Sequence, residues 1–201
     1  MNDYQRIRLE EEEENKPSGM EYSHRLIEKK FFEERIIFLW GPVDDDSARS
    51  IVSRLIFLEK QKPGEKITFF INSPGGMVTS GMAIYDTMQL ISSPISTVCM
   101  GLAASMGSIL LSAGTKGERY IYPYGEVMIH QPSVGLIQAV AADIEIHTKQ
   151  IIRTKRIAAE ILARNCGQTV DKVLKDFDRD YWMDADESIK YGIVDKVFKF
   201  K

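Results

Sequence analysis

Three apolar runs, each followed by a turn and then a helix-like segment, constrain the fold of this chain more than any other feature. The runs RIIFLW (35–40), KITFFIN (66–72) and ISTVCM (95–100) are typical of buried β-strands. The segment after the first run has apolar residues at helical spacing, with Asp46 or Ser47 as the expected N-cap. This alternation predicts a parallel sheet covered by crossover helices, and therefore an α/β fold. Four residues of the helix predicted over 77–91 partly share a face and are expected in the core: Met82, Tyr85, Met88 and Leu90.

The rest of the chain also alternates predicted strands and helices. The segment GLAASMGSILLSAG is predicted as a turn and a small-residue helix, and RYIYP and EVMIHQP as further short strands. Apolar residues near seven-residue spacing predict one long helix from about Asp143 to Arg164, ended by Gly167. A short helix and the strand-like IVDKVFKF follow. A chain of 201 residues that is 44% hydrophobic can bury one sizeable core, so we expect one domain.

The amino-terminal stretch differs in composition from the rest. Five consecutive acidic residues, Glu10 to Glu14, precede the turn-forming NKPSG. Such a segment cannot bury apolar surface, so we predict a mobile acidic arm over residues 1–20 and a single domain over 21–201.

Charge and cysteine content exclude several classes of function. The 26 basic and 29 acidic residues are interspersed, which argues against a nucleic-acid face or a membrane-binding basic segment. Cys99 and Cys166 lack the spacing of a metal site and are too few for a disulfide framework. No stretch reaches the roughly 18 to 20 apolar residues of a spanning helix. We therefore expect a cytoplasmic protein with neither a metal nor a cofactor.

Ser105 stands where a strand gives way to a helix. At a helix amino terminus its hydroxyl would lie beside unpaired backbone N–H groups, which suit an oxyanion. The surrounding motif is not G-x-S-x-G, because position 103 is Ala. A serine between small residues is more often a packing residue, so a nucleophile here requires a general base nearby.

Three histidines could supply that base. His130 ends a predicted strand, where its ring would stand at the sheet edge, although a purely structural histidine fits as well. His24 lies in a polar lead-in, and His147 is expected to pack on the long helix. A carboxylate that orients the base would come from the segment KDFDRDYWMD, and spacing alone does not choose among its members: Asp176, Asp178, Asp180 and Asp184.

Several ordered blocks together resemble a known family. ERIIFLWGPVDD, FINSPGGMVTSGMAIYDTMQ, VCMGLAASMGS, MIHQP and DRDYWMDADESIKYGIVDKV are similar to blocks of the proteolytic subunits of Clp proteases, the ClpP family, over about residues 34–198. The resemblance implies a ClpP/crotonase-like α/β fold of repeated β-β-α units with a protruding helix-strand handle. It also implies a serine endopeptidase that cleaves unfolded proteins.

The resemblance assigns a role to each site residue. Ser105 would be the nucleophile, His130 the base and Asp180 the orienting carboxylate. The backbone N–H groups of Gly76 and Met106 would form the oxyanion hole. A tight turn is an alternative explanation for the SPGG segment that contains Gly76.

The resemblance further implies an assembly. Two stacked heptameric rings, homomeric or mixed with a paralogue, would receive substrate from a Clp/Hsp100 ATPase hexamer of the ClpX, ClpA or ClpC type. This chain has no phosphate-binding loop of its own. Arg179 would lie where the rings meet. The ATPase-docking pocket would involve four residues for which an ordinary core position is the alternative: Phe70, Leu90, Tyr120 and Phe198.

Three segments depart from the family pattern, and two rival functions stay open. One of the three, EKKFFEERIIF (28–38), is longer by a few residues than the family's lead into the first strand. The amino-terminal RIRLEEEEENKPSG is more polar than the family's gating segment, and the handle segment SVGLIQAVAADIEIH carries one glycine and one apparent extra residue. The chain could instead be a non-catalytic, structural subunit of a mixed ring. A crotonase-type hydratase or isomerase acting on acyl-CoA thioesters shares the implied fold.

Overall fold

The computed structural model describes residues 19–133 and 140–198. The chain divides after Arg35 into two compact units. The first unit contains helix α1 (Gly19–Glu33), and beyond it the N–H of Arg35 donates to the carbonyl of Phe32. The predicted arm over residues 1–20 falls almost entirely outside the described residues, so it stays a prediction.

The second unit alternates strands and helices, as the sequence predicts. Its described strands are β1 (Ile36–Trp40), β2 (Ile67–Ser73), β3 (Ile95–Ala104), β4 (Arg119–Ile121), β5 (Glu126–Ile129), β6 (Tyr181–Met183) and β7 (Lys196–Val197). Its described helices are α2 (Asp45–Gln61), α3 (Val78–Leu90), α4 (Met106–Ser112), α5 (Ala141–Cys166), α6 (Val170–Asp176) and α7 (Ala185–Tyr191). The predicted α/β class is confirmed.

The strands form one mixed sheet in which β3 has two different neighbours on one side. The order β1-β2-β3-β4-β7 is parallel throughout. Strand β3 pairs with β4 near Val98 and, further along, with β5 near Ala103. Strand β5 then pairs with β6 in antiparallel fashion. The long strand β3 therefore extends beyond the end of β4, and its own carboxyl end lies beside β5.

Burial alternates along β1 and β2, which explains why one sheet face holds the core. The inward side chains of Ile37, Ile67, Phe69 and Ile71 have no exposed surface, whereas their neighbours within the two strands are half-buried. Helices α2 and α4 pack against these strands. Each fully buried aliphatic or aromatic side chain contributes about 1.5–3 kcal/mol relative to an exposed one.

Of two helix ends predicted from the sequence, one is confirmed and one is wrong. The long helix α5 ends at Gly167, as predicted, and this glycine has the left-handed φ of +70° that favours it as a cap. The predicted N-cap of α2 was wrong, because Asp44 rather than Asp46 or Ser47 is the cap. The Asp44 side chain accepts from the N–H of Ser47, whose hydroxyl accepts from the N–H of Asp44 in return.

Two residues expected to be buried are exposed. Leu90, the last residue of α3, is 85% exposed, while Tyr85 and Met88 of the same helix are buried as predicted. His147 is exposed on the amino-terminal half of α5, where every residue from 141 to 150 is exposed. A helix spacing rule cannot distinguish the buried half of a long helix from a half that leaves the core.

Two further predictions concern the chain as a whole. Of the helices in residues 19–133 and 140–198, none is long and apolar enough to cross a membrane. Cys99 and Cys166 are both buried as free thiols, and burial raises the pKa of each to about 12. The middle of the handle segment, 134–139, lies outside the described residues.

Candidate active site

Three strand ends bring the predicted site residues together. Ser105 directly follows β3, His130 directly follows β5, and Asp180 directly precedes β6. Strand β5 lies between the other two strands. The N–H of Ser105 donates to the Met128 carbonyl at 2.9 Å, which extends the β3–β5 pairing by one residue. The order of the strands thus places the hydroxyl, the imidazole and the carboxylate side by side.

The His130 ring touches both partners. Its Nε2 lies 2.9 Å from Ser105 Oγ, and its Nδ1 lies 3.1 Å from Asp180 Oδ1. With the ring proton on Nδ1, the ring donates to the carboxylate and Nε2 accepts the serine proton. This arrangement allows the imidazole to take a proton from the hydroxyl while the carboxylate faces the resulting cation.

The other carboxylates of the same segment have different partners. Asp176 pairs with Lys172 on α6, and Asp178 lies 3.4 Å from the Nζ of Lys155. The Asp184 side chain caps helix α7. Of the four candidates that the sequence left open, the structure brings only Asp180 to the His130 ring.

Ser105 has a strained backbone. Its φ of +53° and ψ of −121° lie outside the regions that side chains other than glycine favour, and in the described chain only Arg35 shares with it a positive φ at a residue other than glycine. A conformation of this kind costs about 1–3 kcal/mol. Ser105 is the N-cap of α4, yet its side chain makes no capping hydrogen bond. The hydroxyl is therefore directed to His130 instead of to the helix.

The two predicted oxyanion donors lie on adjoining turns. Met106 is the first residue of α4, so its N–H has no acceptor within the helix. Gly76 bridges to Val43, whose carbonyl accepts from the N–H of Met77 at 2.7 Å. A Cβ on Gly76 would collide with that carbonyl, and its φ of +149° also favours glycine. Neither the Gly76 nor the Met106 N–H donates to another described residue.

Gly75 has a role that the sequence did not reveal. A Cβ at this position would lie 2.5 Å from Ser105 Cβ and 2.9 Å from the Met106 nitrogen. The N–H of Gly75 donates to the buried hydroxyl of Ser73 at 3.1 Å, which holds the turn. The glycine thus lets the SPGG turn pack directly on the turn of Ser105. The double glycine was the only sequence signal, and turn geometry alone was enough to explain it.

The predicted docking residues lie on the sheet face opposite the core and at a helix end. Phe70 stacks on Phe38 with ring centroids 5.3 Å apart, and Tyr120 stacks on Phe198 at 5.0 Å. Phe70 and Tyr120 align with the same residue of β3, so they share one row of the sheet. Phe198 is 40% exposed and Leu90 is 85% exposed, which does not fit an ordinary core position for these two.

Arg179, the predicted ring contact, is exposed. Its side chain forms no hydrogen bond or ion pair with another residue of 19–133 or 140–198. The guanidinium is therefore available to a carboxylate of another subunit.

A comparison with models of known protein families identifies the family of this chain. The model of the Clp protease family matches residues 19–201, which covers all described residues and most of the sequence. The mixed α/β architecture agrees with the fold of that family. Since the match extends over far more than half of the chain, this protein belongs to the Clp protease family.

Proposed function

We propose that this chain is the proteolytic subunit of an ATP-dependent Clp protease and acts as a serine endopeptidase on unfolded proteins in the cytoplasm. Membership of the Clp protease family supports a serine-peptidase type of activity. The observation that carries the proposal is the unbroken contact from Ser105 Oγ through the His130 ring to Asp180, formed on a strained turn. A crotonase-type enzyme would not need a serine, a histidine and an aspartate in this hydrogen-bonded series.

The first half of the reaction cleaves the peptide. Ser105 Oγ attacks the carbonyl carbon of the scissile bond while its proton passes to His130 Nε2. The carbonyl oxygen becomes an oxyanion that accepts from the N–H groups of Gly76 and Met106, each worth about 3–4 kcal/mol of barrier in such sites. Asp180 stabilises the imidazolium. The C–N bond then breaks, Nε2 protonates the leaving amine, and the acyl group stays on Ser105 as an ester.

The second half restores the enzyme. A water molecule attacks the ester carbonyl and gives its proton to His130 Nε2. The new oxyanion is held by the same two N–H donors. When the ester bond breaks, Nε2 returns its proton to Ser105 Oγ and the carboxylic acid product leaves. Every step uses the same two contacts of the His130 ring, which explains why both short distances are needed.

Hydrolysis of a short fluorogenic peptide tests this function without an ATPase. Ser105→Ala should abolish turnover while the particle mass and melting temperature stay the same, because one small half-buried hydroxyl is lost. Ser53→Ala, at an exposed position on α2, is the matched control and should retain full activity. Equal turnover by the wild type and Ser105→Ala would refute the proposal, as would turnover of an enoyl thioester.

We also propose that the chain works as two stacked heptameric rings served by a Clp/Hsp100 ATPase. Membership of the family supports oligomerisation and assembly with such ATPases. In this assembly Arg179 would pair across the ring interface and hold the neighbouring Asp180 in place. The docking surface would include the exposed Leu90 and Phe198.

The ring-coupling proposal has its own experiment. Arg179→Ala should give single rings or smaller species with little peptidase activity, as measured by sedimentation velocity and peptide hydrolysis in parallel. Arg49→Ala removes an exposed arginine whose partner, Asp46, lies on the same helix, so it should change neither result. Double rings with wild-type turnover in Arg179→Ala would leave this arginine as ordinary surface charge.

A further inference from the structure

Gln131, the residue after His130, ties the strand end that carries the imidazole to the loop that carries Asp180. Its backbone N–H donates to the Phe177 carbonyl at 2.6 Å. Its side-chain Nε2 donates to the Asp178 carbonyl at 2.8 Å and lies 3.3 Å from the carboxylate of the same residue. Both neighbours of Nε2 are acceptors, which is consistent with the assigned orientation of the amide.

The loop needs such a restraint. It spans residues 177–180 between α6 and β6. At one end Phe177 is fully buried and acts as an anchor. Asp180, at the other end, has a side chain that is 60% exposed, and its carboxylate contacts only His130 among the described residues. An exposed carboxylate with one partner is held mainly by its backbone, so the hydrogen bonds of this loop decide where it points.

The only other side chain that holds the loop near Asp180 in the described chain makes a weaker contact. Lys155 Nζ lies 3.4 Å from the Asp178 carboxylate and 5.9 Å from the centroid of the Phe177 ring, but it donates no hydrogen bond to the loop backbone. This partly exposed ion pair can be exchanged for water at little cost. Gln131 instead bonds a backbone carbonyl two residues before Asp180, and it does so from the residue adjacent to His130. The pairing of Ile129 with Tyr181 in strands β5 and β6 sets the register of the two groups, and the Gln131 side chain adds a restraint on the loop before Asp180.

We propose that Gln131 is a positioning residue for the proposed peptidase reaction: its carboxamide holds the 177–180 loop so that Asp180 faces His130 Nδ1. This inference rests on the function proposed above. Without the amide donor the Asp180 carboxylate turns toward solvent. His130 then loses the partner that selects its tautomer and stabilises its protonated form, while Ser105 and the oxyanion donors stay in place.

Peptide hydrolysis by the intact particle tests the proposal with Gln131→Met, which keeps the length of the side chain and removes the donor. We expect kcat to fall by about tenfold to a hundredfold at an unchanged KM, less than the about 10⁴-fold that loss of the orienting carboxylate costs in triads. Gln131→Leu, which also lacks the donor and adds no charge, should show the same fall in kcat and serves if the methionine variant folds poorly.

Gln168→Met is the matched control. Gln168 Nε2 donates to the Tyr191 carbonyl at 2.8 Å, the same type and length of bond, but away from the three proposed catalytic residues. Gln168→Met should lower the melting temperature comparably while kcat and KM stay at their wild-type values. Equal kinetic effects of both variants would overturn the proposal, since they would show a general structural role.

A double-mutant cycle with Asp180→Asn isolates the mechanism. If Gln131 acts through Asp180, Gln131→Met should change kcat of the Asp180→Asn enzyme by less than twofold. Fully additive losses would overturn the positioning role. Labelling by a fluorophosphonate separates this result from a failure of the proposed function. A wild-type protein that is not labelled at Ser105 refutes the peptidase proposal itself, whereas normal labelling with an unchanged Gln131→Met refutes only the inference.

Discussion

Gly75→Ala should damage both the stability and the activity of this protein, although the change adds a single methyl group. The new Cβ would lie 2.5 Å from Ser105 Cβ, 2.7 Å from the Ala104 carbonyl oxygen and 2.9 Å from the Met106 nitrogen. Two of these three neighbours are backbone atoms that cannot rotate away. The turn must therefore move away from Ser105, and Gly76 moves with it.

The size of the effect has two parts. A φ of +88° costs an alanine about 1–2 kcal/mol relative to glycine. Overpacking of a tight contact costs about 1–3 kcal/mol more. Gly117 has the same φ of +88°, but a Cβ there would meet nothing within 4 Å. Gly117→Ala is therefore a matched control that includes the backbone cost and omits the collision.

Thermal unfolding and peptide hydrolysis, measured side by side on both variants, test this reasoning. For a chain of this size the collision should lower the melting temperature of Gly75→Ala by about 2–12 °C beyond that of Gly117→Ala. The kcat of Gly75→Ala should fall at least tenfold, because loss of one oxyanion donor typically raises the activation barrier by about 3 kcal/mol. Equal melting temperatures and equal kcat values in the two variants would refute the reasoning.

Three further predictions concern charged groups. Hydrogen bonds from two serines that neighbour each other in the chain lower the pKa of Glu59 from 4.5 to about 2, so this carboxylate adds stability above pH 4.5 that is lost as the pH falls toward 2. When unfolding by urea is measured between these pH values, the stability of Glu59→Gln should lack this pH dependence, and a profile equal to that of the wild type would contradict the prediction. Asp195→Ala should lower the free energy of unfolding by about 3–5 kcal/mol, because it leaves the fully buried Arg119 without its carboxylate. Glu160→Ala, in an exposed ion pair, should lower it by less than about 1 kcal/mol, and similar losses for both variants in denaturant titrations would contradict this prediction. Asp180→Asn should lower kcat by about 10⁴-fold at an unchanged melting temperature, and wild-type turnover in a kinetic assay would remove Asp180 from the mechanism.

Local patterns were sufficient to predict most of the fold. Apolar runs with turns between them predicted strands β1 to β3, and Gly167 was recognised as the end of α5 from residue type alone. The errors arose where burial depends on distant elements. Leu90 and His147 occupy positions typical of a packed helix face, but both side chains are exposed in the described part of the chain.

The site was predictable only in part. Motif positions indicated Ser105 and His130, and the family resemblance selected Asp180, which the structure places beside the imidazole. Spacing could not select it, because the register between β5 and β6 decides which carboxylate reaches the ring. The contacts of Gly75 and Gln131 join residues that are about 30 and 47 positions apart in the chain, so no local pattern contains them.

Covalent labelling would identify the nucleophile of the site directly. The assembled protein should be treated with a fluorophosphonate at neutral pH, digested, and the adduct located by peptide mass spectrometry. We expect one adduct per chain, on Ser105, that is lost in His130→Ala because no base remains 2.9 Å from the hydroxyl. An adduct on a different residue, no adduct at all, or undiminished labelling of Ser105 in His130→Ala would contradict it.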